Sequence, residues 1–206
     1  MIQSLIKRYI RAKVLYSNSE LDIRKAFGYI SNNKIKGDYV EFGVFDGCSL
    51  KAACEFAGKF KVENMNFYGF DSFEGLPKTE QKETPLVEGD YYCSLDNVKR
   101  NMKKYPNVKL VKGWFNKVKI PKEIKEIAIV NIDCDFYEGA RDALKLIKPF
   151  VKEGMVIRFD DWFLFKGRPD RGEQKAFNEF KKTVKNYYFV EFFSNGGTKT
   201  FVTLKK

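Results

Sequence analysis

Acidic residues and glycines fall at points along this chain where a ligand would need them. Glu41 stands two residues before Gly43, in the spacing Glu-x-Gly-x-x-x-Gly that ends at Gly47. A dinucleotide site typically shows Gly-x-Gly-x-x-Gly and offers helix N–H groups to a pyrophosphate. A carboxylate so close to the first glycine would repel a diphosphate and suits a ligand with a cationic end. S-adenosylmethionine, with its ammonium and sulfonium, is such a ligand. The same spacing also accommodates a tight strand–turn–helix with no ligand at all. Asp71, Asp133 and the pair Asp160-Asp161 each follow a short apolar run. Asp71 is placed to accept hydrogen bonds from a ribose diol. Asp133, Asp160 and Asp161 could share a divalent cation, and an all-oxygen set favours Mg2+, Ca2+ or Mn2+ over zinc. The competing assignment for each aspartate is a helix cap. Asp135 is a candidate proton acceptor, although alternation along the strand end would turn it away from Asp133, and it equally suits a cap for the helix that follows.

These residues need elements to bring them together. Residues 39–42 read as a strand that runs through glycines 43 and 47 into a helix over 49–58. That is the usual first unit of an open α/β sheet, and glycine lets a ligand lie against the turn. Further strands are expected at 66–70, 108–111, 127–132 and 154–159, with helices at 19–32, 95–104, 137–147 and 172–185. The run Ile127-Ala128-Ile129-Val130-Asn131-Ile132 fits a central strand buried on both faces. Two β-rich runs, 187–193 and 198–204, flank Ser194-Asn195-Gly196-Gly197, a hairpin signal. The pattern predicts five β/α units closed by an antiparallel hairpin. In such a sheet the strand C-termini share one edge, where ligands bind, and neighbouring strands lie about 4.8 Å apart, so carboxylates from two of them can meet on one ion. Residues 72–92, rich in Gly, Pro, Glu and Thr, make a loop long enough to cover that edge as a lid.

At 206 residues the chain suits a single domain, with an N-terminal helical segment over 1–35 and an α/β core over 38–206. It contains no histidine, which removes serine–histidine and cysteine–histidine hydrolase mechanisms from its own repertoire. The four cysteines form no Cys-x-x-Cys pair, so reduced thiols and a cytoplasmic setting are expected. No apolar run approaches a membrane span. Residues 1–11 read as a short amphipathic helix carrying Ile2, Leu5, Ile6, Tyr9 and Ile10 on one side, and a homodimer through this segment is a partner expectation. The net charge of +11, much of it in the N-terminal helix and in residues 99–125, reads as a lysine-rich surface; an acidic partner or an anionic membrane surface is the alternative.

The stretch from Glu41 to Ser49 resembles the first cofactor motif of the macrocin and mycinamicin O-methyltransferases. The resemblance continues through Gly69-Phe70-Asp71-Ser72-Phe73-Glu74-Gly75-Leu76-Pro77, Glu88-Gly89-Asp90-Tyr91, Val111-Lys112-Gly113-Trp114-Phe115, Ile132-Asp133-Cys134-Asp135-Phe136-Tyr137-Glu138 and Phe159-Asp160-Asp161-Trp162. It implies a Rossmann-like class I methyltransferase fold, a mostly parallel seven-stranded sheet with a C-terminal antiparallel hairpin and helices on both faces. It also implies an S-adenosylmethionine- and Mg2+-dependent enzyme that methylates a sugar hydroxyl of a natural product or polysaccharide precursor. Residues matching Glu41, Gly43, Asp71, Ser72 and Trp114 would line the cofactor site, with Gly47, Ser49 and Gly113 completing the candidate set. Asp133, Asp160 and Asp161 would hold the metal, and Asp133 and Asp135 are the catalytic candidates. Two departures stand out: no histidine is present to serve the reacting hydroxyl, and Arg158 occupies a strand position where an aliphatic residue is expected. Both point to an acceptor other than a macrolide.

The expected partner is a small-molecule or glycan acceptor. A nucleic acid is disfavoured, because the Asn/Asp-Pro-Pro-aromatic motif of base-amine methylators is absent and such enzymes must flip a base into a pocket. A nicotinamide-dependent oxidoreductase suits the fold but not Glu41 or the aspartate set. A non-catalytic methyltransferase-like scaffold would have no need of both cofactor and metal residues.

Overall fold

The computed structural model describes residues 20–79 and 84–206; the expected amphipathic helix near the N-terminus, and any dimer formed through it, lie outside the described residues. A helix, α1, covers 20–32. It is followed by β1 (Asp38–Phe42), α2 (Cys48–Lys59), β2 (Phe67–Asp71), α3 (Leu95–Asn101), β3 (Val108–Lys112), β4 (Ile127–Ile132), α4 (Tyr137–Ile147), β5 (Val156–Phe159), α5 (Gly172–Thr183), β6 (Tyr187–Asn195) and β7 (Thr198–Lys205). The seven strands form one sheet in the order β3-β2-β1-β4-β5-β7-β6. Strands β1 to β5 run parallel, and β7 pairs antiparallel with both β5 and β6. No described helix is long and apolar enough to cross a membrane.

The apolar run at 127–132 is buried along its whole length, because helices cover both faces of the sheet. On one face Ala140, Leu144 and Ile147 of α4 and Phe177 and Phe180 of α5 pack on Phe42, Phe70, Ile132 and Phe159. On the other, Ile23, Phe27 and Ile30 of α1, Leu50 and Ala53 of α2, and Val98 of α3 pack on Tyr39, Phe67 and Val156. The expected alternation fails once: residues 113–126 connect β3 to β4 with turns and no helix. The hairpin turn is also tighter than the sequence suggests. β6 continues through Asn195, leaving Gly196 and Gly197 as a two-residue connection.

Strand order reverses between β1 and β4, which go to opposite sides of the sheet for their next partners, and such a switch point opens a crevice at the strand C-termini. Backbone bonds carry the ladder one residue past the strands. Gly43 donates to the Phe70 carbonyl (2.9 Å), Asp133 to Phe42 (2.9 Å) and Asp160 to Ile132 (3.0 Å). Gly43, Asp133 and Asp160 therefore stand side by side on the lip of the crevice. Gly43 is needed there: its φ is +92°, and a Cβ would lie 1.7 Å from the Asp133 carbonyl oxygen.

Candidate functional site

A cavity of about 880 Å³ opens over this edge. Gly43, Ser49, Asp71, Ser72 and Trp114 line one half; Asp133, Asp135, Asp160 and Asp161 line the other. Glu41, Gly47 and Gly113, the remaining candidates, are not in the lining. Gly47 is the N-cap of α2 in a left-handed conformation (φ 87°), and Gly113 continues the β3 ladder by donating to the Asp71 carbonyl at 2.8 Å.

Glu41 is fully buried beneath the first half. It accepts hydrogen bonds from the Tyr39 hydroxyl, from Ser49 Oγ (2.8 Å) and from Asn131 Nδ2 (3.1 Å). Burial pushes its carboxyl up to about 7, against the pull of these three donors and of Arg158. Glu41 stands behind the lining, and Ser49, which lines the cavity, is bonded to it. Asp71 lines the cavity and is also tied to the backbone. Its Oδ2 accepts from the backbone N–H of Val44 (2.7 Å) and Phe45 (3.1 Å), and its Oδ1 from Phe73 N–H (2.6 Å). Three N–H groups on one carboxylate lock the β1–α2 turn to the start of the 72–92 loop. Gly75 and Leu76 from the near end of that loop, and Tyr91 from its far end, reach the cavity. The two ends touch: Leu76 N–H donates to Asp90 O (2.8 Å) and Gly89 N–H to Leu76 O (3.0 Å), and a Cβ on Gly75 would meet the Gly89 carbonyl at 2.6 Å.

In the second half, Asp133, Asp160 and Asp161 each present a carboxylate oxygen within 4.8 Å of the others. Adjacency of β4 and β5 brings them together, as the strand-end positions predict. Burial drives Asp133 far above the usual carboxylate range, reinforced by Asp160 and Asp161. Burial does the same to Asp161, reinforced by Asp135 and Asp160. Asp135 does not point away. Residues two apart on an extended strand face the same side, so alternation is no reason for the two to part; the strand has in any case ended at Ile132, Asp135 is left-handed (φ 57°), and both aspartates line the cavity. Asp135 is pushed up to about 8 by burial, then by Asp133 and Asp160. Nor is it the helix cap: the N-cap of α4 is Phe136, with no side-chain cap bond.

Several groups at this site are not apparent from the strand-end pattern. Arg158, 1% exposed, donates through Nη1 to Asn131 Oδ1 (2.6 Å) and through Nη2 to Asp160 Oδ1. Its Nε lies 3.8 Å from Asp22 Oδ2. Burial opposes its charge, but Asp160, Asp133 and Asp22 together raise its basicity. Asp22 is buried in the first turn of α1, where the Thr198 hydroxyl also donates to it. Glu173, in the first turn of α5, accepts the Asp161 backbone N–H at 3.0 Å. The available signal is Arg158 itself: a cation in an apolar strand demands a buried carboxylate nearby. Glu20 and Ile23 of α1 and Asn195 to Thr198 of the hairpin tip also line the cavity, so the two elements that flank the core in sequence close one side of the site.

The sequence profile of the family described as macrocin-O-methyltransferase (TylF) matches residues 18–186. The chain is 25% identical over 158 residues to demethyldecarbamoylnovobiocin O-methyltransferase of Streptomyces niveus, covering 69% of this chain and 59% of that protein. It is 27% identical over 142 residues to mycinamicin III 3''-O-methyltransferase of Micromonospora griseorubida, covering 62% and 56%. It thus spans less than two thirds of the length of these relatives. Among solved structures, the O-methyltransferase NovP superposes with a TM-score of 0.76 at 20% identity, covering 91% of this chain and 80% of that one. The fold is that of the class I methyltransferases, and the chain belongs to the macrocin O-methyltransferase family.

Proposed function

We propose that the protein is an S-adenosylmethionine-dependent, Mg2+-dependent O-methyltransferase acting on a sugar hydroxyl of a small-molecule or glycan acceptor. The observation that carries this reading is the convergence of two unlike half-sites on one cavity: a glycine turn with its fixed carboxylates, and an oxygen-only acid cluster. The donor set suits a hard cation. Asp133, Asp160 and Asp161 hold it in this reading, and a dication would relieve the repulsion that burial imposes on Asp133 and Asp161. Once bound, such an ion lowers the pKa of a hydroxyl that meets it and fixes which oxygen faces the cofactor. The cofactor supplies an activated methyl carbon, so the protein's task is alignment.

The chain's own residues fill defined roles. Ser49, backed by Glu41, and Asp71, held by three N–H groups, orient the cofactor against the Gly43 turn. Trp114 and Leu76 contribute apolar wall. Asp135 takes the acceptor's proton onto its carboxylate. Its place in the same lining as Asp133 suits it to that role in a chain without histidine. Carboxylates dominate the cavity, and Lys117 is the one basic residue in its described lining. That lining counts against a nucleic acid or another polyanion as acceptor, despite the net charge of +11.

Calorimetry tests the cofactor. S-adenosylhomocysteine should bind and NAD+ should not, each titrated with and without Mg2+. Radiolabelled methyl transfer from S-adenosylmethionine to a panel of free and nucleotide-linked sugars then tests the acceptor class. Binding of NAD+ in preference to S-adenosylhomocysteine would overturn the assignment.

A further inference from the structure

We propose that Arg158 is a positioning residue that leaves Asp160 one freely available oxygen and thereby tunes the acid cluster toward Mg2+ and away from Ca2+; the inference rests on the metal reading above. Arg158 lies in the strand Val156–Phe159, otherwise wholly apolar. Its guanidinium is held from three sides. Nη1 donates to Asn131 Oδ1 at 2.6 Å, Nη2 donates to Asp160 Oδ1, and Nε faces Asp22 Oδ2 at 3.8 Å. Asn131 cannot swing to release it, because its own Nδ2 donates to the buried Glu41 at 3.1 Å. Asn131 and Arg158 are also direct partners in the β4–β5 register. The guanidinium therefore sits as a fixed fork behind Asp160.

Fixing the fork has two effects on a cation in the cluster. Asp160 Oδ1 carries the Arg158 hydrogen bond, so bidentate ligation by Asp160 would have to share that oxygen with the guanidinium, and the other oxygen is the freer ligand. The same contact offsets one negative charge beside the cluster. Ca2+ takes about six to eight oxygens, commonly with bidentate carboxylates, and its affinity rises with the charge of the ligand set; Mg2+ takes about six in near-octahedral geometry and keeps waters beside a few carboxylates. Arg158 thus competes for the second oxygen and offsets the extra charge that a Ca2+ site uses. The aliphatic residue expected at this position from the family resemblance would do neither.

The test is calorimetric titration of the full chain with Mg2+ and with Ca2+, a readout independent of turnover. The wild-type protein should bind Mg2+ at least as tightly as Ca2+. In Arg158→Leu the ratio of the two affinities should move toward Ca2+ by about tenfold, the scale on which groups behind metal ligands act. Because Asp22 loses its countercharge in that variant, Asp22→Asn/Arg158→Leu is measured alongside, with circular dichroism melts to establish folding. An unchanged ratio in a folded variant overturns the proposal. So does a wild-type preference for Ca2+, which decides the matter even if neither variant folds. If no variant and no wild-type sample binds either ion, the metal reading itself fails and takes this inference with it.

Discussion

The half of the cavity formed by β1 and β2 is built on backbone geometry, whereas the half formed by β4 and β5 is built on buried charge. Around Gly43 the decisive contacts are N–H groups on the Asp71 carboxylate and a close backbone approach to Asp133. Around Asp160 they are a guanidinium and several carboxylates in low dielectric. The first half is complete without a ligand, since its polar groups already satisfy one another. The second carries more negative charge than Arg158 offsets, so it has a reason to take a cation. One fold edge thus hosts a preformed cradle beside an electrostatically incomplete one.

Substitutions can break this contrast. The largest effect is expected at Gly43. Gly43→Ala forces a left-handed alanine into the Asp133 carbonyl and should destabilise folding by about 4 kcal/mol or more, read as a lowered midpoint in urea. In the charged half, folding should survive and chemistry should not. Asp161→Asn should reduce methyl transfer by about a hundredfold or more, with S-adenosylhomocysteine affinity nearly unchanged. Exhaustive chelation should mimic it, and added Mg2+ should restore activity. An active enzyme indifferent to chelation would return these aspartates to structural roles.

Glu41 sharpens the contrast, being a buried carboxyl beneath the backbone half. Its folded-state pKa of about 7 lies above the 4.5 of the free side chain. Below pH 4.5 both states hold the proton; between 4.5 and 7 the unfolded chain releases it and the native protein does not. Stability from this group is therefore full at low pH, falls as pH rises through that window, and levels off above it. The total change is on the order of 3 kcal/mol. Glu41→Gln should lose this share of the slope, measured by urea unfolding at pH 4.5, 6 and 7.5; parallel slopes for the two proteins would contradict the assignment. The smallest effect is expected at Asp71. Asp71→Ala should weaken S-adenosylhomocysteine binding by about 2 kcal/mol, through release of the Val44 and Phe45 turn, and Asp71→Asn, which keeps an acceptor oxygen, should weaken it less.

Much of the architecture can be read from residue patterns. The run 127–132 announces a doubly covered strand, and the aspartates at 71, 133, 160 and 161 announce an edge, because a parallel sheet sends every strand end to one side. Legibility ends where position depends on a partner far away in the chain. Nothing near Asp22 marks it as the mate of Arg158, and its neighbours Ser19 and Glu20 suggest a cap instead. Strand periodicity cannot foresee the left-handed backbone at Asp135, because the strand has already ended at Ile132. The hairpin signal at 194–197 locates a turn but not that the turn meets α1. The connection over 113–126 carries the chain from β3 past β2 and β1 to β4 by turns alone, and only the sheet order shows how far it must reach.

The contact between Asp22 and Thr198 joins residues 176 positions apart. Contacts that distant form only after the chain between them has collapsed, because the entropy of closing so large a loop must first be overcome. The β1-to-β5 sheet can therefore assemble before the cavity has its second wall. On partial unfolding the order reverses: α1 and the hairpin tip should exchange their amide hydrogens sooner than β4. The site would then open while the sheet beneath it stays intact, so heat or mild denaturant should abolish activity before it abolishes the fold.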